Sequence, residues 1–163
     1  MQTSYVAHGA IPAIGSIWPG QGGIYAGVYQ GDGESYHLIF ADKDVGKHAW
    51  GEYGAGTKAN SETNGLQNTA ILLDGAGLFP AAQAAHGYSA DGHHDFYLPC
   101  IAELCQAWQS IAASLDRGWY WSSTQRSAHN AFFMDFDDGT RSPYGEGAAF
   151  FVRPARRFPV HQF

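Results

Sequence analysis

Four groups of side chains are close enough in sequence to suggest chemistry. His93-His94-Asp95, with His86 nearby, has the residue types of a metal site. Adjacent residues of an extended segment point to opposite faces, so neighbouring imidazoles rarely serve one ion, and a polar loop entering a core strand is the better reading. Asp135-Phe136-Asp137-Asp138-Gly139, with Glu146 at the twelfth position counted from Asp135, imitates part of a calcium loop. An EF-hand needs its glycine at the sixth position between two helices; here it falls at the fifth between two expected strands, which reads as a solvated hairpin. Ser122-Ser123-Thr124 offers hydroxyls, but the chain has no Gly-x-Ser-x-Gly elbow and no local His or Asp to single one out. These read as strand-end hydroxyls that satisfy backbone groups. The glycine-rich run Pro19-Gly20-Gln21-Gly22-Gly23 follows no strand, opens no helix and lacks Gly-Lys-Ser/Thr, so it does not read as a phosphate cradle. No Cys-x-x-Cys pair and no His-Glu-x-x-His helix occurs. The expectation is a protein that is not an enzyme, with no metal site and no cofactor.

What remains suits binding. Residues 125–130 and 141–147 form two loops rich in Arg, Ser, His, Asn, Tyr and Gly, joined by a strand that carries Phe133. Aromatic anchors mixed with adaptable polar groups on a rigid scaffold are the composition of recognition loops.

The elements expected to hold these loops follow from periodicity. Ile24 to Tyr29 and Tyr36 to Ala41 carry β-branched and aromatic residues on either side of Gly31-Asp32-Gly33, which predicts a hairpin. Residues 42–60 read as loop. Leu66, Ala70 and Leu73 recur at helical spacing before Asp74-Gly75, predicting a helix from about Thr63. A short helical piece is expected from Pro80 to Ala85, and a longer helix after Pro99 burying Ile101, Leu104, Cys105, Trp108 and Ile111. Beyond Gly118 the pattern turns to strands: Trp119 to Trp121; a strand with Phe132, Met134 and Phe136 on one side and Phe133, Asp135 and Asp137 on the other; the turn Asp138-Gly139; and a closing strand over 150–153. The predicted class is α+β, with two helices packed on short, mostly antiparallel sheets and long loops.

Composition agrees. With 163 residues the chain suits one domain. It has 21 glycines, 15% aromatic and 15% charged residues, a profile opposed to disorder and to a coiled coil. The net charge of −6 disfavours nucleic acid as a partner. All the arginines lie beyond residue 116, which predicts an acidic body with an arginine-bearing tip. Cys100 and Cys105, five apart on a helix, place their Cα atoms roughly 8.7 Å apart, too far for a disulfide, so two buried free thiols are expected. The first residues carry no positive n-region, and no apolar run approaches a membrane span. Synthesis in the cytoplasm without a signal peptide or membrane insertion is the expectation.

A set of motifs in fixed order adds to this reading. Tyr97-Leu98-Pro99 with Glu103-Leu104, then Trp119 to Thr124, then Ala131-Phe132 and Phe136 with Asp138-Gly139, then Phe151-Val152-Arg153-Pro154 and Arg156 resemble the Lcl C-terminal domain family over residues 95–158. Pro12 to Gly15 and Gly22 to Gly27 are similar to phage and prophage members of the group. The resemblance implies a C-type-lectin-like fold, shared more distantly with formylglycine-generating enzymes. The group includes adhesins and variable targets of diversity-generating retroelements, in which a stable platform displays replaceable side chains over about 119–158. Carried over by position, 119–124 and 152–158 are framework. The ligand-facing candidates are Arg126, Ala128, His129, Asn130, Phe133, Asp135, Asp137, Arg141, Ser142, Tyr144 and Glu146. The sugar-binding signatures of calcium-dependent lectins are absent, as are the paired cysteines of the formylglycine-generating enzymes.

The expected function is a non-enzymatic ligand-binding module, a retroelement-diversified protein of phage or prophage that binds a protein or glycan ligand on another cell or particle and is virion-associated. The rival is a structural virion or assembly protein that uses the same face to pack subunits into a homo-oligomer.

Overall fold

Alternating apolar residues around Asp32-Gly33 fold the first sheet. In the computed structural model, which describes residues 9–163, β1 (Ile17–Trp18), β2 (Gly23–Gly31) and β3 (Glu34–Phe40) are antiparallel neighbours. Asp32 and Gly33 have φ of 52° and 82°, the left-handed pair a two-residue hairpin turn requires. The pairing shifts between Tyr25 and Val28, where Gly27 takes φ 95°. Gln106 donates across this bulge to the Ala26 and Val28 carbonyls.

The chain continues through β4 (Lys47–Ala49), α1 (Gly65–Asp74), α2 (Pro80–His86) and α3 (Ile101–Ile111), then β5 (Trp119–Gln125), β6 (Asn130–Asp135), β7 (Arg141–Gly145), β8 (Ala149–Phe151) and β9 (Ala155–Pro159). The class is α+β as expected, with three helices rather than two. The sheet orders are β1-β2-β3-β9 and β4-β8-β5-β6-β7. All pairings are antiparallel except β5 with β8. Residues 150–153 are not the closing strand. Pro154 ends that run, and β9 crosses to the first sheet to pair with β3, Phe40 opposite Ala155 and Tyr36 opposite Pro159. No described helix is long and apolar enough to cross a membrane.

The second sheet lies between two cores. One side faces α3 and the first sheet, where Leu38, Phe40, Ile101, Leu104, Ile111, Tyr120, Met134 and Phe136 pack together. The other meets α1 and α2, where Trp50, Leu72, Phe79, Leu98, Trp121, Phe133, Phe150 and Val152 pack together. Two expected members of the α3 stripe, Cys105 and Trp108, are only half-buried, while Ala107 and Glu103 are buried. Both cysteines are free, and only Cys100 is fully buried.

Glu103 joins the helices. Cys100 caps α3, its Sγ accepting the Glu103 N–H, and the Glu103 carboxylate accepts in return from the Cys100 N–H at 3.0 Å. The same carboxylate accepts from the Gly65 N–H at 3.2 Å, at the start of α1, and from the Tyr97 hydroxyl. Burial pushes the Glu103 carboxyl and the Tyr97 hydroxyl upward from their ordinary values. A Cβ at Gly65 would meet Glu103 Oε1 at 2.5 Å and the Cys100 nitrogen at 2.6 Å, so the helix must begin on glycine.

This contact turns α1 over. Its buried residues are Gly65, Asn68, Thr69 and Leu72, not the stripe Leu66, Ala70 and Leu73. Thr69 Oγ1 exchanges hydrogen bonds with the Leu98 backbone, and Asn68 bonds Ser61 and Ser123. The polar face is inward because the surface beneath it is backbone that needs partners.

Gly→Ala at a compatible helical site commonly stabilises by about 0.4–1 kcal/mol. Gly65→Ala is expected to reverse that sign and cost about 1–3 kcal/mol, because the methyl overpacks the carboxylate site; urea unfolding of the variant beside wild type measures it.

Candidate functional site: an aromatic binding face

Strand register sorts the C-terminal side chains onto two faces. Trp121 pairs with Phe133 and Phe133 with Ser142; Trp119 pairs with Asp135 and Ala131 with Tyr144. These residues share the face turned from α3. Tyr120, Asn130, Phe132, Met134 and Arg141 occupy the other, where Met134 enters the α3 core. Exposed Arg141 stands beside the Cys105 thiol of α3, and Asn130 is half-buried.

On the first face four rings form a wall. Trp119 lies 4.7 Å from Phe133, 5.8 Å from Tyr144 and 5.2 Å from Phe150, and Tyr144 lies 5.3 Å from Phe150. Trp119 and Tyr144 are 39% and 46% exposed, whereas Phe133 and Phe150 beneath them are 6% and 9% exposed. Phe150 rests 4.4 Å from Trp121, whose Nε1 donates to the His48 and Ala148 carbonyls. The outer rings therefore stand on a buried aromatic floor anchored by hydrogen bonds. Phe133 belongs to that floor and is corrected from a ligand-facing residue to a supporting one, because Trp119, Tyr144 and Phe150 cover it.

Beside the wall, local hydrogen bonds hold the loops. Ser127 Oγ accepts from the His129 and Asn130 N–H groups, and the Asn130 carbonyl accepts from those of Arg126 and Ser127. Arg126 and His129 are exposed and Ala128 is half-buried. The His129 ring lies 4.5 Å from Tyr53, and the Ala128 carbonyl accepts from Gly54 N–H. In the β6–β7 turn Asp135 Oδ1 accepts from Asp137 N–H, Asp137 is exposed, and hydrogen bonds from Thr140 hold the Asp138 carboxyl below its ordinary value. Ser142 is half-buried.

Glu146 is the second correction. Its side chain has no solvent exposure; its N–H donates to the His129 carbonyl, and its own carbonyl accepts from Trp50 and Gly51. Glu146 Oε1 accepts from Gln125 Nε2, which also donates to the Ala55 carbonyl, while Gln125 Oε1 accepts from Thr57. Glu146 Oε2 is buried without a partner. Burial pushes this carboxyl up to about 7, against the opposing effect of the Gln125 amide. It ties three loops from beneath and is closed off from solvent.

The arginine-bearing tip is also reduced. Arg153 is buried against Asp44 at 2.6 Å, Arg156 meets Asp95 at 2.9 Å, and Arg157 lies over the Tyr36 ring while donating to Asn64. Arg117, Arg126 and Arg141 are exposed. Two exposed aromatic residues lie outside the expected set. Trp119 sits in a framework motif, but its place at the strand end leaves it uncovered, and nothing local marks Tyr53, which only tertiary packing brings to His129.

Ser122, Ser123 and Thr124 are buried in hydrogen bonds to Phe132, Asn68, Ser61 and Ile101. His93 bonds the Gly20 carbonyl. No group of three His, Cys, Asp or Glu residues that fits a metal ion is found among the described residues. No family model matches the chain, and no curated protein matches it.

With a folded-state value near 7 against an ordinary 4.5, Glu146 binds more protons folded than unfolded between those limits. Its contribution is complete below the lower value and is lost as pH rises towards the upper one. Glu146→Gln, which keeps the Gln125 contact without a charge, is expected to match wild type near the lower limit and exceed it in melting temperature at slightly alkaline pH; thermal melts across that range read the gap.

Proposed function

We propose that this chain is a non-enzymatic ligand-binding module of C-type-lectin-like fold that uses the Trp119–Tyr144 face to bind a protein or glycan ligand on another cell or particle. The observation that carries the reading is the pairing of two exposed rings with a buried aromatic floor. Tyr and Trp offer large contact areas with few rotatable bonds, and a floor that fixes their orientation lowers the entropy lost on binding. Arg126, His129 and Tyr53 add exposed polar groups on the neighbouring loops, which Gln125 and Glu146 tie from below. The two-sheet α+β architecture is compatible with the lectin-like assignment.

Within this reading the chain is a diversity-generating-retroelement variable protein in a phage or prophage setting, with virion association. The replaceable positions are the exposed and half-exposed members of the candidate set, while Phe133 and Glu146 stay constant because the platform needs them. A near-copy of the codons for about 119–158 beside a reverse transcriptase gene, differing mainly at adenines, is the expected genomic signature. A neighbourhood without either one overturns the retroelement assignment but not the binding face.

The double variant Trp119→Ala, Tyr144→Ala is expected to weaken capture on a glycan array and on a panel of bacterial surface proteins by about 100-fold or more, the size expected for two central anchors. Its melting transition is expected to stay near wild type, whereas Phe133→Ala alone costs about 3–5 kcal/mol of stability. Unchanged capture, or a closed oligomer that buries Trp119 and Tyr144, overturns the reading in favour of subunit packing.

A further inference from the structure

Trp119 also borders a hollow of about 530 Å³ where β4, β8 and the start of β5 meet, lined with it by Lys47, Arg117, Gly118, Phe150 and Phe151. Together with Ala149, these residues supply three aromatic rings, two cations, and neither an acid nor a neutral polar side chain. Lys47 pairs with Phe151 across β4 and β8, and its Nζ stands 4.7 Å from the centre of that ring. Gly118 reaches the same ring. Its φ is 137°, and a Cβ there would meet Phe151 at 3.0 Å, so glycine lets the chain run flat against the ring and carry Arg117 to the hollow that Lys47 enters.

The two cations are unmatched. Both are exposed, and neither has an acidic partner among the described residues. The carboxylates of the neighbouring segments are turned elsewhere. Asp44 holds Arg153 and the Tyr120 hydroxyl, Asp135 accepts from the Asp137 N–H, and Asp116, whose own N–H donates to Tyr120, acts on Asp44. None of the three lines the hollow. By contrast, the hollow at Lys43 also carries Asp44, the one at His86 carries Asp95, and the one at Lys58 has a single cation. On a chain of net charge −6, a site with two free positive charges draws an anion that the rest of the surface repels.

An arginine fork and a lysine ammonium together ask for more than a carboxylate, whose two oxygens and single charge are taken up by the fork alone. A phosphate monoester carries about two negative charges and three free oxygens, which serve the fork on one edge and the ammonium on the third oxygen. The body attached to it must suit Trp119, which is 39% exposed. A sugar ring lays its C–H face on an indole and turns its hydroxyls to water, whereas a peptide backbone would find no neutral polar side chain in the hollow to partner its amides.

We propose that the hollow beside Trp119 is a phosphate subsite and that the ligand of this chain is a phosphorylated glycan, its sugar ring on Trp119 and its phosphoryl group between Arg117 and Lys47. The inference rests on the Trp119–Tyr144 reading for the glycan-binding surface, and on the hollow itself for the anion.

Glucose 6-phosphate, titrated into the full chain and followed by the Gly118 amide and the Trp119 indole N–H in two-dimensional NMR, is expected to bind about tenfold or more tighter than glucose 6-sulfate, glucuronate or glucose. Lys47→Gln and Arg117→Gln, both at exposed positions, are each expected to weaken glucose 6-phosphate by about tenfold or more without moving the melting transition. Equal affinity for glucose 6-sulfate, tighter binding of a phosphotyrosine peptide than of glucose 6-phosphate, no shift at Gly118 and Trp119, or binding unchanged in both variants overturns the proposal. Glucose 6-phosphate binding without capture on the glycan array or the protein panel overturns only the Trp119–Tyr144 face as the ligand site. Array capture that ignores phosphorylated glycans and survives both substitutions overturns only the phosphate subsite.

Discussion

A carboxyl group without solvent contact holds the N-termini of two helices. Glu103 accepts from the first N–H of α1, from the N-cap of α3 and from the Tyr97 hydroxyl, and burial raises its affinity for a proton. An unpartnered carboxylate there would be costly, so the residues around it have little freedom. Gly65 must lack a side chain, Cys100 must cap, and Tyr97 must reach inward. Once α1 is pinned by its first residue, its orientation follows, and the polar face that meets the 97–100 backbone is the one buried.

The second sheet inherits its division of labour from that anchoring. α3 covers one face and α1 with α2 cover part of the other, which leaves the Trp119 end of the sheet open. Strand alternation then decides which C-terminal side chains look out. Phe133 and Tyr144 share a face and differ only in what stands over them, whereas Arg141 is turned to the helix side although it is one residue from Ser142. The loops that carry Arg126 and His129 are joined to residues 50–57 through Gln125 and Glu146, so part of the candidate face depends on a segment far away in sequence.

Much of the local structure was legible in advance. Glycine chemistry at Asp32-Gly33 and Asp138-Gly139, the proline at the start of α2, the strand at Trp119 to Trp121 and the alternation of β6 all fold as their short-range signals direct. The failures share one cause. Leu66, Ala70 and Leu73 have the spacing of a buried stripe, but spacing reports only that a helix has an apolar face, not that anything in the same chain covers it. Glu146 has the composition of a surface loop residue and is enclosed by backbone from three segments. The C-terminal arginines suggested a basic tip, yet Asp44 and Asp95, distant in sequence, draw two of them inward.

By itself, the sequence determined the α+β class, the hairpins and the helical segments, because each of these follows from residues within a few positions of one another. Only the tertiary structure decided which side of α1 is buried, that β9 returns to β3, and that Trp119 and Tyr144 rather than Phe133 and Glu146 meet solvent. Exposure depends on the surface left after every element has docked, and that docking is set here by contacts such as Glu103 with Gly65 and Glu146 with Gln125, between residues 38 and 21 positions apart.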